Sequence, residues 1–495
     1  MNPFAQLDHK FVWHPFTQMR DWLKREPVVI ASGRSAMLRD ARGREYLDAN
    51  SSIWTNLHGH GHPKINKAIN RQLEKIAHSS ALGFANEPAS VLAEKLVQIA
   101  NCKLQITNAK ETPPQSHSRF AIRNPQLSKV FFSDDGSTAM EVALKLAYEF
   151  ARRTRGNKSR PKFLSLARAY HGDTIGAVSA GHIDLFHKAY AGLLFQTDQV
   201  MSPYCYRCPF NHAKPERADA RKYRKCNWEC VGLVEQKFAV QKRKGNSFAA
   251  FVFEPLIQGS AGMIPQPDGW LRQVTSIARH HGALLIADEV MTGFGRTGVP
   301  AASDQQPASS LFASQHEGVQ PDFLCLAKGL TGGYLPMAAT LTTQKVFDAF
   351  LGEYKEFKTF FHGHSFTGNQ LGAAAALASL QILQTKKSCR QREQLQKALH
   401  TELQTLWSLP NVGDIRQVGL VTGIELVKDW RTRQQFDLRE RAGVRICEAM
   451  ARQGVLTRPV GNVIVLMPPY CTTAAQAKKM VSALHESVAE VFRAR

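Results

Sequence analysis

The sequence predicts an α/β fold, with a large domain built on a mainly parallel sheet and a smaller α+β domain. Three observations predict it. Between about residues 129 and 340, short apolar runs alternate with helix-length stretches, the pattern of βαβ units with right-handed crossovers. Runs such as ALLIA and FLCLA are apolar throughout, as in strands buried on both faces. Outside this region, alternating apolar residues and turn signals return near both termini, as in antiparallel structure. A chain of 495 residues is also too long for one minimal core, so two domains are expected.

Composition narrows the function classes. Hydrophobic residues make up 43% and charged residues 21%, ordinary for a globular enzyme. No apolar run approaches the ~20 residues that a membrane helix needs. The start, MNPFAQLDHKFVW, has no basic segment followed by an apolar one, so a cytoplasmic location is expected by default. The net charge of +22 raises a nucleic-acid partner. The basic groups at 152–162 and 220–225 carry few aromatics and no binding module, so they read as solvated faces. No nucleic-acid or membrane partner is expected, and a positive field suits small anionic substrates. Nine cysteines without an export signal are expected to be reduced thiols.

Taken in order, WHPFTQM (13–19) reads as an ordered arm. Residues 28–50 read as hairpin structure with a turn at 40–43. SSIWTNLHGHGHP (51–63) places His58, His60 and His62 at alternate positions. The glycines between them and Pro63 favour a turn over a metal site, and Trp54 is a candidate aromatic wall for a ligand. Helices are expected at 63–76 and 89–100. The polar stretch 102–129 reads as an inserted surface loop. A strand at 129–133 then runs into Asp-Asp-Gly-Ser-Thr and a periodic helix from Ser137. Here Gly136 lets the backbone approach, and the N–H groups of Ser137 and Thr138 sit at the positive helix end, in outline a phosphate site. A simple capped helix start gives the same pattern. The strand in KFLSLARAYHGDT ends at Tyr170, an aromatic able to stack on a flat ring. In 202–230, Cys205, Cys208, Cys226 and Cys230 form C-x2-C and C-x3-C pairs, near a zinc-ribbon spacing. The irregular second pair favours a reduced loop and no metal.

Two strand ends carry the chemistry. ALLIADEVMTGFGRTG (283–298) ends its apolar run at Asp288 and Glu289. DFLCLAKGLTGGYLP (322–336) ends its run at Lys328. Ligands of parallel α/β sheets bind at the carboxyl ends of strands. An amine able to form a Schiff base and a carboxylate able to keep a pyridine nitrogen protonated fit pyridoxal phosphate. A buried salt bridge would place the same two residue types there. Downstream, the glycine-punctuated loop and Ala-rich helix of KTFFHGHSFTGNQLGAAAALASL (358–380) fit close packing at a dimer interface. Arg458, beside Pro459, can grip a carboxylate or stand as a surface residue.

WHPFTQM, SSIWTNLHGH, DDGSTAMEVALKLA, YHGDTIGAVS, ADEVMTGFGRTG, CLAKGLTGGYLP, FFHGHSFTGNQLG and RPVGNVIVLMPPY together resemble class III, fold type I, pyridoxal-phosphate aminotransferases over nearly the whole chain. The resemblance implies a seven-stranded-type sheet in the large domain. It implies domains at 1–75 and 381–495 (the small α+β domain and arm) and 76–380 (the large domain, with the insert 102–129 and the cysteine loop 202–230). It implies Lys328 as the Schiff-base lysine, Asp288 as the ring-nitrogen partner and Tyr170 as the catalytic aromatic on the cofactor. Gly136 and Ser137 match the phosphate loop. Gly363, His364 and Ser365 match a loop that crosses a homodimer to substrate and the neighbour's phosphate. Phe16, Trp54 and Arg458 match substrate contacts. The WHPFTQM, YHGDT and RPVG stretches are similar to the branch serving biotin synthesis. That branch implies 7-keto-8-aminopelargonate as acceptor and S-adenosylmethionine as donor. Another ω-amino acid or diamine transaminase is the alternative on the same fold. Many members have Tyr at the place of Phe16, a second Trp at Ile53 and an aromatic at Val460. Those departures leave lysine open as donor.

Overall fold

The apolar runs in the middle of the chain form one seven-stranded sheet. In this computed structural model, residues 1–102, 126–156, 160–298 and 310–493 are described. In chain order the strands are β1 (Leu127–Ser133), β2 (Lys162–Leu166), β3 (Asp198–Val200), β4 (Phe248–Phe253), β5 (Leu284–Asp288), β6 (Phe323–Leu326) and β7 (Ala338–Thr343). Their spatial order is β1-β7-β6-β5-β4-β2-β3. Only β7 runs against its neighbours, β1 and β6; the other pairs are parallel. Successive residues of a strand face opposite sides. Here both sides are dry: Ala250, Val252, Ile286, Phe323 and Cys325 enter one core, and Phe251, Phe253, Leu285, Leu324 and Leu326 the other. That is why these runs lack polar alternation. The helix α1 (Gly136–Arg155) follows β1 and packs on the first core, while α2 (Trp270–His280) leads into β5 from the second.

The two ends of the chain meet in one small sheet. Strands Ile30–Arg34, Met37–Asp40 and Glu45–Asp48 are joined by Val455–Leu456, which pairs in parallel with Leu47 and Asp48. A second, five-stranded sheet is formed by Val412–Val418, Val421–Asp429, Val463–Leu466 and Pro459–Val460, with Gln434–Gln435 paired to Val421–Asp429.

The histidine-rich stretch is a turn. Gly59 has φ 78°, and a Cβ there would lie 2.4 Å from the Ser35 carbonyl oxygen. His58 pairs with Ser379 at 3.0 Å and His60 with Asp48 at 3.0 Å. All nine cysteines are free thiols. Among the described residues, no three His, Cys, Asp or Glu side chains are grouped to hold a metal ion. The cysteine loop docks on the C-terminal sheet, where Arg207 Nε donates to Glu425 Oε1 at 2.6 Å and Arg416 Nη2 to Glu425 Oε2 at 2.7 Å. The insert expected at 102–129 lies, from 103 to 125, outside the described residues. No described helix is long and apolar enough to cross a membrane.

Candidate active site

Four strand ends and one helix start converge on a cavity of about 420 Å³. Its wall brings together Trp54, Gly136, Ser137, Tyr170, Asp288 and Lys328. β5 delivers Asp288 and, one strand over, β6 delivers Lys328 two residues past its end. Lys328 takes the left-handed region, φ 44°. Burial in the cavity floor pulls its pKa below the usual lysine range, while Asp288 and Glu254 pull the other way. A lysine eased toward its neutral form is suited to nucleophilic and proton-transfer work.

Asp288 is buried and oriented from behind. His171 Nδ1–H donates to its Oδ2 at 2.7 Å, and the Val290 N–H to its Oδ1 at 3.1 Å. The His171 ring is enclosed, and its Nε2 has no partner among the described residues. Burial opposes charging this ring, but the hydrogen bond and charge of Asp288 outweigh it and raise the pKa. A buried, paired carboxylate with its acceptor face at a cavity is the group that holds a proton on a ligand nitrogen.

α1 starts at the cavity edge. Asp135 caps it: its carboxylate accepts the Thr138 N–H at 2.9 Å, and Thr138 Oγ1 accepts the Asp135 N–H at 2.9 Å. The Thr138 N–H expected for an anion is therefore taken by the cap. Gly136 and Ser137 are left at the cavity wall, at the positive end of a 20-residue helix. A Cβ on Gly136 would lie 2.7 Å from Val290 Cγ1, and one on Gly172 would lie 1.9 Å from Ser137 Oγ. These glycines let the β5 loop and the Tyr170 loop close on the helix start. Tyr170 lines the cavity, and its hydroxyl donates to Asp173 Oδ2 at 2.7 Å. An anion cradle, a fixed carboxylate, a buried amine and an aromatic in one cavity fit pyridoxal phosphate by size and donor chemistry.

The remaining residues singled out in the sequence do not reach this wall in the single chain. Phe16 lies edge-on to Phe186 with ring centroids 5.2 Å apart, and Phe186 in turn is edge-on to Tyr170 with centroids 6.2 Å apart. His364 Nδ1 stands 3.3 Å from Asp134 Oδ2, beside the helix start. The Ser365 carbonyl accepts from His78 Nε2 at 2.8 Å, Gly363 faces open space, and Arg458 is exposed. Val460 packs on the cluster that contains Trp54.

Sequence reasoning assigned no role to His171 or Glu254. Glu254 follows β4, a third strand ending in a charged residue, and that was the available signal. It lines the cavity and accepts the Gly259 N–H at 2.8 Å, and burial pushes its pKa up to about 7.

A family model described as aminotransferase class-III matches residues 19–488. An adenosylmethionine-8-amino-7-oxononanoate aminotransferase of Geobacter sulfurreducens is 44% identical, with 97% of this chain and 96% of that one covered. A solved structure of the protein so named from Methanocaldococcus jannaschii matches with TM-score 0.83 at 37% identity, covering 98% of each chain. A PLP-bound amine transaminase from an uncultivated Pseudomonas species matches with TM-score 0.81 at 31% identity, covering 97% of this chain and 98% of that one.

Proposed function

The chain belongs to the class-III aminotransferases, and from that premise we propose that it aminates 8-amino-7-oxononanoate (7-keto-8-aminopelargonate) to 7,8-diaminopelargonate in biotin synthesis. The observation that carries the chemistry is the convergence of Lys328, Asp288 and the start of α1 on one cavity. The relatives' name supports the acceptor and S-adenosylmethionine as donor. Lysine is the rival donor, favoured by the Phe16 and Ile53 departures; both residues are exposed.

The enzyme is PLP-dependent. When bound, pyridoxal phosphate supplies an aldehyde that takes up the amino group and a ring that draws electrons from the carbon losing its proton. In this reading Gly136 and Ser137 bind the phosphate. Asp288, oriented by His171, holds the proton on the ring nitrogen. Tyr170, on the cavity wall, would lie against the ring. Lys328 Nζ, once free, takes the proton from the donor carbon and returns it on the other side of the exchange. In the second half of the cycle it runs the same transfer in reverse toward the oxo acid. Trp54 and Met291, which line the same cavity, would shield the reacting carbon from water.

A homodimer completes the reading. Leu82, Phe84, Phe361 and Phe366 are exposed apolar side chains of the single chain. Their segments are tied together by His78, 4.9 Å from Phe366, and by Asn86 Nδ2, which donates to the Gly368 carbonyl at 3.0 Å. Such a patch marks a partner surface. The same loop carries Gly363, His364 and Ser365, which in this reading serve the neighbouring site. Arg458 holds the acceptor's carboxylate. Cytoplasmic action belongs to the same reading and is checked by fractionation.

The test is direct. The purified holoenzyme is given 8-amino-7-oxononanoate with S-adenosylmethionine or lysine, and the products are read by mass spectrometry. Formation of the diamino acid is expected, and faster turnover with S-adenosylmethionine than with lysine. No diamino acid with either donor, but turnover of other ω-amino acids, would replace this acceptor with another.

A further inference from the structure

Trp54 stands on a backbone that ordinary residues avoid. Ser51, Ser52 and Trp54 have φ of 47°, 64° and 68°, left-handed values uncommon outside glycine and most costly for a bulky side chain. Such strain persists only where the surroundings over-determine it, and it collects at functional sites. The surroundings here are explicit. The Asp48 carboxylate accepts the Asn50 N–H at 3.1 Å and the Ser52 N–H at 2.9 Å, and pairs with His60 Nε2 at 3.0 Å. The Ser51 hydroxyl donates to the Met467 carbonyl at 2.8 Å. Asn50 is 3% exposed and Trp54 7%. The Asn50 carbonyl accepts the Trp54 backbone N–H at 2.9 Å, and Asn50 Oδ1 accepts the indole Nε1–H at 2.8 Å.

The result is an indole held at both its backbone and its ring. It stands with its centroid 4.8 Å from Lys328 Nζ and packs with Ile257, Met263 and Met291. Gly259 leaves the room: a Cβ there would lie 2.5 Å from Met291 Sδ and 3.4 Å from Trp54 Cζ3.

We propose that Asn50 is a specificity-determining positioning residue, whose amide oxygen pins the Trp54 indole as the wall along which the substrate chain lies beside Lys328. The inference rests on the reading of this cavity as the aminotransferase site. An indole N–H left without its acceptor in a buried site is penalised, so the ring turns to seek another partner. The slot then loses its fixed width, while Lys328 and Asp288 stay in place. Substrate affinity is lost and the chemical step is kept.

The test uses the full-length holoenzyme with Asn50→Ala, Asn50→Asp, Trp54→Phe and the Asn50→Ala/Trp54→Phe pair. Protein labelled with 5-fluorotryptophan is examined by fluorine NMR, and the resonance missing from Trp54→Phe assigns Trp54. One narrow Trp54 resonance is expected in the parent, and a broadened or split one in Asn50→Ala. Asn50→Asp keeps an acceptor oxygen and is expected to keep the narrow line. In steady state, Asn50→Ala should raise the KM of the oxo acid roughly three- to tenfold, the worth of one buried hydrogen bond, with kcat within about twofold. In the Trp54→Phe background, which has no indole N–H, adding Asn50→Ala should move KM by less than about twofold. An unchanged resonance in Asn50→Ala, a broadened one in Asn50→Asp, or an equal KM rise in the Trp54→Phe background overturns the proposal. A mobile indole with an unmoved KM overturns the wall role. If the parent enzyme does not turn over the oxo acid at all, the acceptor assignment fails instead, and the NMR result still judges the pin.

Discussion

Asp288 and Lys328 are adjacent in space because β5 and β6 pair in parallel, with Asp288 opposite Cys325 and Lys328 three residues further on. The charge of Asp288 is held where a ring nitrogen would meet it, since His171 and the Val290 N–H occupy its other directions. Replacing Asp288 by Asn keeps the shape and removes the charge. Turnover is expected to fall by roughly 10²–10³, as when one preorganised electrostatic partner is removed, with cofactor still bound in the visible absorption spectrum. Near-parental turnover would refute the role. Lys328 is judged separately. Borohydride treatment of the holoenzyme followed by peptide mapping should place the pyridoxyl group on Lys328, and a label on any other lysine defeats the assignment.

At the scale of elements, β5 ends at Asp288 and Glu289 follows it directly, the two acids turning to opposite sides as successive residues of an extended chain do. Asp288 turns to the cavity. Glu289 turns into the protein, where it accepts the Ala313 N–H at 2.5 Å, the Ser314 N–H at 2.8 Å and the Ser314 hydroxyl at 2.6 Å. Burial nonetheless pushes its pKa from 4.5 up to about 7. A carboxyl whose folded pKa is raised contributes stability that is fully present below pH 4.5 and is lost as pH rises through about 7. Buried Glu254 and Asp414, both also raised to about 7, act in the same direction. The buried histidines His58, His182 and His316, lowered to about 3, 4 and 4, act in the opposite direction up to about pH 6.5. Glu289 is therefore read as a difference: the melting temperature of Glu289→Gln relative to the parent's should rise between about pH 5 and pH 8, the single-site contribution being at most about 3 kcal/mol. Calorimetry across that range checks it, and an unchanged slope in the variant excludes Glu289 as a contributor.

For the whole molecule, the apolar surface of the 78–86 and 361–370 segments predicts the assembly. Leu82 is 88% exposed and Phe366 59% in the single chain. The parent protein should sediment as two chains. Leu82→Asp combined with Phe366→Asp should sediment as one, because charges on an apolar contact stay with water. Most activity should go with the partner. A monomeric parent with full turnover would remove the dimer from the reading.

What the sequence determined by itself was the fold class and the placing of a carboxylate, Asp288, and an amine, Lys328, at two strand ends. Apolar runs without alternation state that a strand is covered on both faces, and a charge at the end of such a run is a candidate for a strand-end cleft, as Asp288 is and its neighbour Glu289 is not. The start of α1 was legible for the same reason, as a helix start at a strand end, and of the two readings the sequence offers there, an anion site and a capped start, the cap takes the Thr138 N–H. Contacts between residues far apart in sequence were decided only by the tertiary structure. Nothing local tells that His171 reaches Asp288, 117 residues away. The sequence also left open that Glu254 shares their cavity, and that Phe16, Gly363, His364, Ser365 and Arg458 stand off its wall in one chain. Trp54 lies between the two cases. Its residue type announced a ligand wall, but its orientation comes from a left-handed backbone fixed by Asp48 and Asn50 and by the Ser51 contact to the distant Met467. Periodicity records which face of an element is dry, and it cannot record which distant side chain arrives there.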